Sequence, residues 1–75
     1  MNCEHYVTGD VITIEQVENI ARYLEEWELQ EYSTLWFEAV RRMRAAEIIH
    51  AEMGVGAEIE LPNGINIYLE NGRNN

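Results

Sequence analysis

The stretch Gly54-Val55-Gly56-Ala57-Glu58-Ile59-Glu60-Leu61-Pro62-Asn63-Gly64-Ile65-Asn66-Ile67-Tyr68-Leu69 decides how this chain is read. Before it, apolar residues recur at helical spacing. Within it, the period drops to two: Ile59 and Leu61 alternate with Glu58 and Glu60, then Ile65, Ile67 and Leu69 with Asn66, Tyr68 and Glu70. A period of two is the mark of a strand with one buried face. Pro62-Asn63-Gly64 divides the two runs. Proline presets the first corner and glycine accepts the left-handed position, so residues 57–70 are expected to form a β-hairpin. Gly54 stands where a helix C-terminus takes its left-handed cap.

Working back, the spacing predicts helix two over 33–53, with Ser33 or Thr34 as its cap. Its stripe is Trp36, Ala39, Val40, Met43, Ala46 and His50, with Tyr32 and Met53 at the ends. Helix one is expected within 13–30. Thr13 and Gln16 are spaced as a capping box, and Ile12 with Val17 as a hydrophobic staple. Ile14, Val17, Ile20, Ala21, Leu24 and Trp27 make its apolar stripe. Residues 1–12 read as an extended segment, with 5–8 available as a third strand, and 71–75 as a loose tail. The expected fold class is α+β: an antiparallel pair of helices on a small antiparallel sheet, in one domain spanning 1–75.

Composition narrows the function. The chain has 75 residues, one cysteine and a net charge of −9, and its five bases are all arginine. One cysteine allows no internal disulfide, and no Cys-x-x-Cys pair exists to hold zinc. No apolar run is long enough to span a bilayer, and the start of the chain lacks a basic-then-apolar leader. A cytoplasmic location is expected, with no membrane partner. Residues 1–38 carry nine acids against Arg22, whereas 39–75 carry five acids against four arginines. Such a surface repels nucleic acid directly and suits a basic protein surface.

Catalytic patterns are weak. Glu47-x-x-His50 has the spacing of one half of a di-metal carboxylate site, but only one copy is present and the reading is a packed histidine. Cys3-Glu4-His5 lies in an acidic setting that raises a thiol pKa. There is no phosphate loop, and 75 residues leave little room to enclose a substrate. No enzyme, cofactor or metal is expected.

Two surfaces remain as partner-binding candidates. One is the acid row Glu15, Glu18, Glu25, Glu26, Glu28 and Glu31, whose spacing along a helix can imitate a phosphate backbone. Reversal of Glu18, Glu25 and Glu26 to lysine is expected to spare the fold. The other is Leu35 and Phe37, which flank Trp36 and cannot share its direction; they are expected to lie under the hairpin or against a partner. In size and charge the chain is similar to the small inhibitors that bacteriophages and mobile elements make against host nucleases and CRISPR complexes. That likeness implies an acidic inhibitor docking on a nucleic-acid-binding protein. The alternative is a homodimeric structural or regulatory module, antitoxin-like or an assembly protein, using a hydrophobic helix face.

Overall fold

The computed structural model describes residues 3–7 and 10–71. In chain order the elements are β1 (Cys3–Val7), β2 (Asp10–Ile12), α1 (Ile14–Glu26), α2 (Gln30–Met53), β3 (Ala57–Glu60) and β4 (Asn66–Asn71). The α+β class is as expected. The sheet is larger than the hairpin plus one strand: four antiparallel strands stand in the order β2-β1-β4-β3.

The hairpin turns where the sequence places it. Gly64 N–H donates to the Leu61 carbonyl at 2.9 Å, and Leu61 N–H donates to the Ile65 carbonyl at 2.8 Å. Gly64 holds φ +86, which a side chain would resist. Ile65 falls in the turn, exposed, instead of in the strand.

Val11 and Ile12, read as a lead-in to the helix, form an edge strand. Tyr6 pairs with Val11 and His5 with Ile12. Thr8, the last residue of the expected 5–8 strand, and Gly9 lie outside the described residues. Asn71, read as tail, continues β4, and 72–75 are not described.

Thr13 caps α1 as its spacing predicts. Its Oγ1 accepts from Gln16 N–H at 3.1 Å, and Gln16 Oε1 accepts from Thr13 N–H at 2.8 Å. The far end of α1 differs from expectation. It stops at Glu26, because Glu28 turns into the left-handed region at φ +60. Leu29 N–H then reaches back to the Leu24 carbonyl (2.9 Å) and Glu28 N–H to the Glu25 carbonyl (3.0 Å). This is a Schellman termination carried by a glutamate where glycine is usual.

Helix α2 begins at Gln30, ahead of the predicted cap. Its cap is Leu29, with no side-chain bond. Ser33 sits one turn inside, buried, its hydroxyl donating to the Gln30 carbonyl at 3.0 Å.

Helix α2 lies across the sheet and α1 packs along α2. The core joins Val17 and Ala21 of α1, Trp36, Ala39, Val40, Met43 and Ala46 of α2, and Ile59, Leu61, Ile67 and Leu69 of the hairpin. Ile20 and Trp27, assigned to the α1 stripe, are not in it: they remain 38% and 65% exposed. The reason is architectural. With α1 resting on α2 and scarcely on the sheet, only a narrow arc through Val17 and Ala21 is covered.

Twenty-four residues give α2 a length of about 36 Å. A six-residue strand is only about 20 Å long, and four strands span about 19 Å. Helix α2 therefore outruns the sheet, in a molecule 41 Å long and 18 Å thick.

Candidate functional site

The turn between the helices gathers four exposed carboxylates within seven residues. Every residue from Glu25 to Tyr32 is exposed, eight in succession. Four are glutamates (Glu25, Glu26, Glu28, Glu31) and none is basic. Glu25 and Glu26 end α1, Glu28 occupies the turn, and Glu31 lies in the first turn of α2. The six-residue row read as one helix face is thus split over two helices and a turn. Leu29 and Tyr32 add apolar surface to this tip, 43% and 57% exposed.

The rest of the row behaves differently. Glu18 is largely covered: its two carboxylate oxygens meet Arg22 at 3.1 Å and Arg44 at 3.0 Å. Arg22 is four residues along α1, and Arg44 comes from α2, so Glu18 ties the helices together. It borders an open cleft of about 380 Å³ with Thr34, Phe37, Val40, Arg41 and Arg44. Three arginines thus stand beside this flank of α1. Glu15 remains exposed in the first turn of α1. The i,i+4 spacing of Glu18 and Arg22 signals in the sequence that this carboxylate is paired.

Leu35 and Phe37 separate. Phe37 is half-buried against the core. Leu35 is 47% exposed and lines a shallow groove with Arg42, Glu60, Leu61 and Pro62. The hairpin tip therefore flanks Leu35 without covering it.

Glu47 and His50 also diverge. His50 is buried, with Nδ1 3.0 Å from the Val55 carbonyl, bracing the connection out of α2. Glu47 instead faces His5, its Oε1 3.8 Å from Nε2. His5 is 2% exposed, and its Nε2 has no hydrogen-bond partner. Burial pushes the His5 pKa below its ordinary value, and the Glu47 carboxylate offsets part of that shift. Among the described residues, no three histidine, cysteine or acidic side chains converge as a metal site.

Sequence reading missed the second apolar face of α1. At 100° per residue, Gln16, Ile20, Tyr23 and Trp27 share a flank about 60° wide. It lies across the helix from Glu15, Glu18 and Arg22. The Tyr23 and Trp27 rings meet at a tilt of 55° with centroids 6.1 Å apart, and both are more than half exposed. The i, i+3, i+7 spacing was legible, but a covered and an uncovered apolar stripe look alike until the neighbours are placed.

Among the described residues, no helix is long and apolar enough to cross a membrane. No family model matches the chain, and no curated protein or solved structure is significantly similar to it.

Proposed function

We propose that this chain is a non-enzymatic binding protein whose acidic tip docks on a basic, nucleic-acid-binding surface of a partner protein or complex. The role that suits such a surface is inhibition by charge mimicry, of the kind directed against a nuclease or CRISPR complex. The observation that carries the reading is the unbroken exposed run Glu25–Tyr32, with four carboxylates and no base, at the turn into α2, a helix longer than the sheet it crosses. A projecting tip can enter an Arg/Lys-lined groove that a flat face cannot. Tyr32 offers a ring for guanidinium stacking beside the charges. Glu18 is left out, since its charge is already met by Arg22 and Arg44.

The test is capture of partners from a bacterial lysate at low and at high salt, using the wild type and a Glu25→Lys/Glu26→Lys/Glu31→Lys variant. Each reversal adds two charges, taking the net charge from −9 to −3. The expected result is a nucleic-acid-binding protein recovered at low salt, lost at high salt, and lost with the folded variant. Equal capture by wild type and variant would overturn the reading.

A further inference from the structure

We infer that the chain also forms a two-fold dimer through the uncharged flank of α1, with Trp27 of each copy seated in the groove beside β2 of the other. This flank lies away from the paired carboxylates of α1, and the inference does not depend on the tip having a basic partner.

Both halves of a self-complementary contact lie on the same side of the molecule. The projecting half is Trp27, 65% exposed and braced by Tyr23. The receiving half is an open groove of about 540 Å³ lined by Val7, Val11, Ile12, Gln16, Asn19 and Ile20. It opens where α1 lifts away from the β1–β2 end of the sheet. A knob and a hole on one patch are what an isologous two-fold contact requires.

The spacing along the helix fits. With the axis crossing α1 between Ile20 and Tyr23 and the helices antiparallel, residue 27 of one copy lies opposite residue 16 of the other. Trp27 then stands over Gln16 at the mouth of the groove. The edge strand β2 is three residues long, and Val11 is 49% exposed at the rim.

Self-complementarity selects a second copy as the occupant, since the exposed ring and the groove that receives it belong to one chain. Two chains of −9 repel, so they approach closely where carboxylates are fewest. Gln16, Asn19, Ile20 and Tyr23 supply such a patch, and Glu26 and Glu28 beside Trp27 are charges that salt screens. Tyrosine and tryptophan are also the side chains that dominate interface energies. Tyr23, Trp27 and the groove mouth offer roughly 600 Å² per copy, somewhat below the ~800 Å² of a standard stable interface. A dimer in the micromolar range follows.

Sedimentation equilibrium of the full chain at low and high salt tests this. The expected result is a monomer–dimer equilibrium that tightens as salt screens the repulsion, opposite in sign to the tip's binding to a basic partner. Trp27→Ala should weaken dimerisation at least about 30-fold, as for a hot-spot tryptophan. Ile20→Asp should abolish it. Leu35→Ala, on the other helix, should leave it unchanged. Thermal melts and far-UV spectra confirm that each variant folds. A wild type that stays monomeric at high micromolar concentration in high salt would overturn the inference. So would a dimer indifferent to both Trp27→Ala and Ile20→Asp. Lysate capture by Ile20→Asp separates the two proposals, because Ile20 lies outside the Glu25–Tyr32 run.

Discussion

Glu28 holds a left-handed backbone, φ +60, with a side chain attached. That conformation costs an L-residue roughly 1–2 kcal/mol relative to the right-handed region, and glycine escapes most of it. Glu28→Gly is therefore expected to stabilise the fold by about 1 kcal/mol, read as a rise in urea midpoint at constant slope. His5 gives a second residue-scale expectation. Its folded pKa lies below the ordinary 6.5, so the unfolded chain takes up the proton at higher pH than the folded one. Stability contributed by the neutral ring is complete above 6.5. It falls as pH drops from 6.5 towards the lower folded pKa. Urea titrations at stepped pH should show that slope, and a His5→Leu variant should lack it. A wild type that is equally stable across this window would contradict the account.

At the scale of elements, the fold depends on α2, which touches both the sheet and α1. Trp36, in its second turn, is 9% exposed, and Trp36→Ala should cost about 3–5 kcal/mol by urea denaturation. The pairing of α1 with α2 has an ionic component at Glu18. Exposed ion pairs contribute at most about 1 kcal/mol, so Glu18→Gln should be mild. Glu18→Lys is another matter, since it places a third cation beside Arg22 and Arg44. It should lower the melting temperature more than Glu25→Lys or Glu26→Lys, contrary to the expectation that all three reversals spare the fold equally. The elements themselves were legible to different degrees. The Thr13 capping box, the Gly54 stop and the Pro62–Gly64 turn are local chemistry, so their positions could be read from neighbouring residues. The end of α1 was not legible, because a glutamate fills the position where glycine is the usual signal. The start of α2 was hidden by Ser33, whose hydroxyl serves the Gln30 carbonyl inside the helix instead of an N-terminal amide.

At the scale of the whole molecule, shape and charge separate two surfaces that the sequence interleaves. The acidic tip and the aromatic flank share residues 23–32, yet they respond to salt in opposite directions: partner capture should weaken and self-association strengthen. One salt series on wild type, on Glu25→Lys/Glu26→Lys/Glu31→Lys and on Ile20→Asp resolves both. The sequence by itself determined the net charge, the change of period at Gly54–Gly56, the α+β class and the identity of most core residues. Those follow from composition and from spacings of one to four residues. Only the tertiary structure decided that Val11 and Ile12 make a fourth strand, since an edge strand of three residues is stabilised by its neighbour β1 and carries too short a pattern to announce itself. Only the tertiary structure decided which carboxylates are free, because Arg44, which occupies Glu18, lies 26 residues away in the chain. And only the placing of α1 on α2, clear of the sheet, left Ile20, Tyr23 and Trp27 uncovered, because whether an apolar stripe is buried depends on which surfaces arrive beside it.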